Sequence, residues 1–359
     1  MLTLGSLFDG IGGWQLAAVH AGVKPIWSSE IEKFPLAVTR KRFPDTKQLG
    51  DVTKITDVEP VDIVCAGSPC QDLSIAGKRE GLAGERSGLF INAINIVRQM
   101  RMSTGGRQPR FFIWENVPGA FTSGSERGAD FRAVLESIAE TDIPMPKDGR
   151  WANAGMVQCP KCEIAWRVLD AQYWGVPQRR KRIFLVADFA AADRRAAEIL
   201  FVEPCVPRDS AESEGEGQEA AGRAGNGIDS ANQDLPKCDK LIIEKEQTMK
   251  VYDMTHADEV MRPVTGDKSN CLNSRMGTGG NQVPVIHDEE KYTVRRLTPL
   301  EAERLQGWPD GYTDVPLNGK PASDANRYKA LGNGMAQPCA DFVLSQIVAY
   351  ALQDENEQE

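Results

Sequence analysis

Short, wholly apolar runs cut off by polar turns dominate the first half of the chain. Ile63-Val64-Cys65-Ala66 stops at Gly67-Ser68-Pro69, Phe111-Phe112-Ile113-Trp114 stops at Glu115-Asn116, and Arg182-Ile183-Phe184-Leu185-Val186-Ala187 follows a cationic cluster. Runs that are apolar at every position, not at alternate ones, are strands buried on both faces, and the helix-compatible stretches between them supply the cover. The pattern predicts an α/β fold with a doubly wound, mostly parallel sheet over residues 1–190.

From Pro204 the texture changes. Residues 209–235 are rich in Ser, Glu, Gly, Ala and Asn and poor in large apolar side chains, so a flexible linker or insertion is expected there. Scattered β-type runs, Lys250-Val251-Tyr252 and Val283-Pro284-Val285-Ile286, surround Gly277-Thr278-Gly279-Gly280-Asn281 and predict a second, smaller, loop-rich domain. Thr298-Pro299-Leu300-Glu301 has the form of a helix start: Thr as N-cap, Pro at the first helical position, Glu three residues on. Gly307 would end that helix, and Phe342 to Leu352 has the spacing of a last helix that returns to the first domain.

Composition changes this picture little. The 359 residues suit about two domains, and no apolar run is long enough to span a bilayer. The formal charge of −9 is accounted for by Asp209 to Glu219 and the tail from Gln353, which leaves a neutral body able to bear a basic cleft. Met1-Leu2-Thr3-Leu4-Gly5 does not read as a signal peptide, and the 8 cysteines lack the spacing of a disulfide scaffold, so a cytoplasmic protein is expected.

Candidate chemistry clusters at predicted strand ends. Leu7-Phe8-Asp9-Gly10-Ile11-Gly12-Gly13 is a strand running into a glycine turn, where backbone can approach a nucleotide-like ligand; alone it is equally a structural strand–helix connection. Glu30 follows Gly10 by 20 residues at the end of the next apolar run, the position of a ribose-binding carboxylate, and Asp51 stands at the strand position after that. Cys70 lies just past an apolar strand, beside Pro69, in a polar loop to Gly88, whereas Cys65 lies inside a strand; the first suits a nucleophile, although a structural thiol fits the spacing too. Glu115 sits one residue past Trp114, and Gln178-Arg179-Arg180-Lys181-Arg182 precedes another strand as an anion site or a solvated basic turn.

Taken together, these motifs resemble the C5-cytosine-specific DNA methyltransferases of bacteria and phages. The likeness runs in order through Phe8-Asp9-Gly10-Ile11-Gly12-Gly13, Glu30, Asp51, Pro69-Cys70-Gln71, Glu115-Asn116-Val117 and Gln178-Arg179-Arg180-Lys181-Arg182. It continues through Arg296-Leu297-Thr298-Pro299-Leu300-Glu301 and Gly332-Asn333-Gly334, sparing only about 190–290. The resemblance implies a Rossmann-like, S-adenosylmethionine-dependent catalytic domain of residues 1–190 plus 323–359. A target-recognition domain would occupy 191–322.

Carried over by position, Cys70 is the nucleophile for C6 of a flipped cytosine, Glu115 contacts N3 and the exocyclic amine, and Arg180 and Arg182 hold the nucleotide. Phe8, Gly10, Ile11, Gly12, Glu30, Asp51, Val52, Pro69, Leu89 and Asn333 are expected to line the cofactor site. Gln71, Ser74, Arg275, Gly279 and Gly280 are expected on the DNA. Double-stranded DNA is the implied partner of a monomer, with a cognate restriction endonuclease as functional partner and no metal.

Two positions depart from the family. Ile31 replaces an aromatic next to the ribose-binding acid, and Cys271-Leu272 stands where Thr-Leu is common. The CxxC at Cys159 and Cys162 reads as two free thiols on an exposed turn, since tetrahedral zinc needs four ligands. The Cys-Phe-Thr signature of tRNA cytosine methyltransferases does not occur. A regulator that binds DNA without catalysis would be expected to lack Cys70 or Glu115, and both are present.

Overall fold

Strands β1 (Thr3–Leu7), β2 (Lys24–Ser29), β3 (Lys47–Gln48), β4 (Ile63–Ala66), β5 (Phe111–Asn116), β6 (Ala154–Gln158), β7 (Glu163–Asp170) and β8 (Lys181–Asp188) form one sheet in the order β3-β2-β1-β4-β5-β8-β7-β6. The computed structural model describes residues 1–68, 88–201, 249–253, 262–263, 269, 271–272, 285–288 and 293–357.

The first five strands are parallel. β1 pairs with β2 on one side (Leu7↔Ser29) and with β4 on the other (Leu7↔Ala66). The chain order reverses at that point, so a crevice opens over the carboxyl ends of β1 and β4, where open α/β sheets bind their ligands.

The remaining three strands are antiparallel, which the apolar pattern does not distinguish. β8 runs against β5 with Glu115↔Phe184 and Asn116↔Ile183. This direction matters for the site, because it brings the start of β8, with its basic run, to the same rim as the end of β5. A parallel β8 would carry those cations to the opposite end of the sheet.

Helices cover both faces. α3 (Gly88–Ser103) and α4 (Ala129–Ala139) bury Phe90, Ile94, Phe131 and Leu135 against Trp114, Leu185 and Trp166. On the other face, α1 (Gly13–His20), α5 (Ala196–Phe201) and α8 (Gln337–Glu357) bury Trp14, Ile199, Val343 and Ile347 against Ile113, Phe184 and Val186. α8 is longer at both ends than the Phe342–Leu352 segment expected from spacing. α2 (Lys33–Arg42) flanks β2.

A third cluster joins Ile11, Phe34 and Val38 to Leu297, Trp308, Tyr312 and Leu331, so the segment with α6 (Pro299–Leu305) and α7 (Asp324–Asn333) packs on the glycine turn. α6 starts as expected: the Thr298 side chain accepts from Glu301 N, and the Glu301 side chain accepts from Thr298 N. A second sheet, β10-β9-β11-β12, is built from β9 (Met249–Asp253), β10 (Arg262–Pro263), β11 (Val285–Asp288) and β12 (Thr293–Arg296). The expected linker at 209–235 lies outside the described residues.

Candidate active site

The turn after β1 is held in a left-handed conformation, with φ of 56° at Phe8, 57° at Gly10 and 87° at Gly12. For the phenylalanine this backbone costs about 1–3 kcal/mol and persists only because the surroundings enforce it. Glu30, at the end of β2, does part of the enforcing: its Oε2 accepts from Gly10 N at 2.8 Å, and its Oε1 accepts from Ile31 N and Glu32 N at 2.7 and 2.8 Å. A methyl group built on Gly10 would meet nothing within 4 Å, so open space lies above the turn.

Asp51 caps the short turn at Val52–Lys54 by accepting from Thr53 N and Thr53 Oγ1 at 3.0 and 2.7 Å, and these bonds hold its carboxyl below the usual range. Phe8, Val52 and Leu89 pack on the same apolar cluster, whereas Ile11 belongs to the cluster of the C-terminal segment. Ile31 is 68 % exposed and leaves the surface beside Glu30 uncovered.

Asp9 is a participant that motif matching passed over. It is 6 % exposed, and its Oδ2 accepts from Gln15 Nε2 at 2.5 Å. Burial, reinforced by Glu30, pushes its carboxyl up to about 7.

The neighbouring strand ends supply the second half of the site. Glu115 pairs with Arg182 (Oε1 to Nε, 3.1 Å), and both side chains are largely buried, at 14 % and 16 % exposed. Burial raises the Glu115 carboxyl, while Arg182 and Arg180 pull it back down. A methyl group on Gly67 would lie 3.5 Å from Glu115 Oε2 and 3.9 Å from Phe8 O, so the acid and the glycine turn face each other across this residue.

Ser68 is fixed from β5, with Trp114 Nε1 donating to its Oγ and Asn116 Nδ2 to its carbonyl, each at 3.0 Å. The chain therefore enters the segment of the expected nucleophile from an anchored point between Glu115 and the turn. Pro69, Cys70, Gln71 and Ser74 themselves lie outside the described residues, as do Arg275, Gly279 and Gly280.

Arg180, expected to hold a nucleotide beside Arg182, is placed differently. It is 1 % exposed; Nη1 donates to Leu272 O at 2.8 Å and to Cys271 Sγ at 3.0 Å, and Nη2 donates to Gly332 O at 3.0 Å and to Gly334 O. Those two glycines flank Asn333, the exposed last residue of α7. Tyr312 Oη donates to Ile11 O at 2.8 Å and Gln337 Nε2 to Gly13 O at 3.1 Å, so the C-terminal segment also fastens the glycine turn. These partners are some 300 residues away in sequence and left no local signal.

The CxxC expectation is corrected in one respect: Cys159 and Cys162 are free thiols, as expected, but not exposed ones. They are the first and last residues of the β6–β7 turn and are buried in the core, with Cys159 N donating to Cys162 O at 2.9 Å. Arg194 donates to the carbonyls of Cys159 and Pro160 and draws the turn inward, and burial pushes the Cys162 thiol up to about 12. Among the described residues no group of His, Cys, Asp and Glu could hold a metal, and no helix is long and apolar enough to cross a membrane.

Comparison with known proteins agrees with this geometry. A family model described as C-5 cytosine-specific DNA methylase matches residues 2–349. Type II methyltransferase M.HpaII of Haemophilus parainfluenzae is 28 % identical over 92 % of this chain and 85 % of its own, and M1.ScrFI of Lactococcus lactis subsp. cremoris is 28 % identical over 92 % and 74 %. A protein of Escherichia phage P1 named DNA N-6-adenine-methyltransferase is 28 % identical over 95 % of the chain, which spans 60 % of that relative's length. Among solved structures, the S. pombe Dnmt2 methyltransferase superposes with a TM-score of 0.59 at 14 % identity, covering 98 % of this chain and 99 % of its own.

Proposed function

Because the chain belongs to the C-5 cytosine-specific DNA methylase family, and so to the DNA cytosine methyltransferases, we propose that it methylates C5 of cytosine within a defined duplex sequence, with S-adenosylmethionine as donor and Cys70 as nucleophile. The observation that carries this reading is the buried Glu115–Arg182 pair facing the Phe8–Gly12 turn across Gly67.

The donor fits the residues present. Open space over Gly10, the locked carboxylate of Glu30, Asp51 at the next strand end and the partly exposed apolar side chains of Phe8 and Leu89 suit a nucleoside with hydroxyls. Asn333 closes the site from α7. Pro69 belongs to the same site. When bound, S-adenosylmethionine supplies an electrophilic methyl group.

The chain's own residues make cytosine reactive. C5 is a weak nucleophile until the Cys70 thiolate adds at C6, which makes C5 enamine-like and splits one hard step into easier ones. Negative charge then builds on the ring, and a Glu115 proton shared with N3 offsets it; a carboxyl raised by burial suits that task. Arg182 orients Glu115 through their ion pair, and a cation in the site favours the thiolate form of a nucleophilic cysteine. After methylation a base takes the C5 proton, the C6–S bond breaks, and Cys70 leaves as the thiolate, which restores the aromatic ring. These atoms lie inside the base stack, so the cytosine must flip out, at about a few kcal/mol.

In this reading residues 1–190 and 323–359 hold chemistry and donor, and 191–322 read the major groove. Gln71, Ser74, Arg275, Gly279 and Gly280 lie on the DNA. The protein acts as a cytoplasmic monomer, alongside a restriction endonuclease of the same specificity; the type II names of M.HpaII and M1.ScrFI favour the endonuclease partner alone.

Duplexes carrying 5-fluorocytosine at sites mapped by bisulfite sequencing test the reading. The wild-type chain should form a covalent complex stable to denaturation, and Cys70→Ser should form none while keeping its fold. Nucleoside mass spectrometry should find 5-methylcytosine. Finding N6-methyladenine instead, in line with the name of the P1 relative, would overturn the assignment.

A further inference from the structure

We infer that Arg180 is a positioning residue that couples DNA binding to the methyl-donor site, an inference that rests on the function proposed above. Its guanidinium is sealed between three separate parts of the chain. It starts from the rim of β8, grips Cys271 and Leu272 in the region next to the second sheet, and grips Gly332 and Gly334 on either side of Asn333.

The chemistry makes this tie specific. A planar guanidinium can serve several carbonyls at once in a fixed fork, whereas a lysine ammonium is a single point. Burial pulls Arg180 down to about 10, yet it remains a cation near neutrality, so a full positive charge is spread over main-chain carbonyls and one sulfur. Removing it would take the charged donor from all three carbonyls, leaving Leu272 O only the weaker Cys271 thiol. The backbone is anchored too, since Arg180 N donates to Asp170 Oδ1 at 3.1 Å and the neighbouring Gln178–Arg179 stretch bridges to Ser269. The attachment to 269–272 is thus double, by main chain at Ser269 and by side chain at Cys271 and Leu272.

The departure at position 271 has a part in this. The Cys271 thiol accepts from Arg180 and points its own donor at Leu272 O, 3.3 Å away. The 271–272 segment is therefore tied through Arg180 to the residues that flank Asn333. A shift of 271–272 upon DNA binding must move Arg180, and with it the Gly332–Gly334 carbonyls. By reciprocity, a filled donor site must change the affinity for DNA by the same factor.

Calorimetry with S-adenosylhomocysteine, with and without a duplex carrying the mapped site, reads the coupling directly. In the wild type the duplex should change the S-adenosylhomocysteine affinity by about fivefold or more, the usual lower range for coupled sites. Arg180→Lys should lower that ratio to below about twofold, while melting shows a folded protein. Should Arg180→Lys fail to fold, Cys271→Ala removes a single acceptor and should reduce the ratio while leaving affinity without DNA unchanged.

A folded Arg180→Lys with the wild-type ratio overturns the inference, as does a wild type whose donor-site affinity ignores bound DNA. In the Cys271→Ala arm, an undiminished ratio does the same. Failure of the wild type to shift the duplex in a gel would instead overturn the proposed function.

Discussion

Replacing Asp9 by Asn isolates one buried charge. The carboxyl takes hydrogen bonds from Gln15 Nε2 and the Ser6 hydroxyl and sits among Glu30, Cys65 and Tyr312, none of which is a cation. Its ordinary value of 3.8 is raised to about 7. Between those values the folded chain holds a proton that the unfolded chain has lost, so stability declines as pH rises and the loss is complete above the folded value. A shift of about three units at about 1.4 kcal/mol each gives about 4 kcal/mol.

Asn keeps an oxygen for Gln15 and cannot ionise. Urea unfolding of wild type and Asp9→Asn, followed by tryptophan fluorescence at pH 5 and pH 8, compares the two. The variant should be the more stable by about 2 kcal/mol at pH 5, where part of the loss is already present, and by about 4 kcal/mol at pH 8. Curves that stay parallel within about 1 kcal/mol across this range would refute the argument that burial without a cation governs Asp9.

Two further outcomes follow from the site and the core. Glu115→Gln keeps the shape of the side chain but removes both the charge facing Arg182 and the shareable proton, so single-turnover methylation should slow by about a hundredfold or more, with DNA affinity changed less than about threefold. An unchanged single-turnover rate would exclude the acid. Cys159 and Cys162, buried with raised thiols, should react with iodoacetamide at pH 8 only as fast as the protein unfolds, and peptide mass spectrometry showing rapid labelling would contradict their placement.

Sequence alone reached the strand cores, the capping box at Thr298 and the acids Glu30, Asp51 and Glu115, because these depend on local chemistry: apolar runs, a cap three residues from its partner, a carboxylate at the end of a run. It also identified Arg182 as part of a basic cluster. What it could not do was tell Arg182 from Arg180, two residues apart in one motif. Arg182, inside β8, meets Glu115 at the end of β5, whereas Arg180, just ahead of that strand, disappears into the carbonyls of Leu272, Gly332 and Gly334. The same holds for the two CxxC thiols, read as exposed and found buried at the ends of an exposed turn, and for Tyr312 and Gln337, which reach the glycine turn from the far end of the chain. Local pattern reports what a residue can do. Which neighbours it meets is settled by strand direction and by contacts between distant segments, and those exist only once the burial of three apolar clusters has brought the segments together.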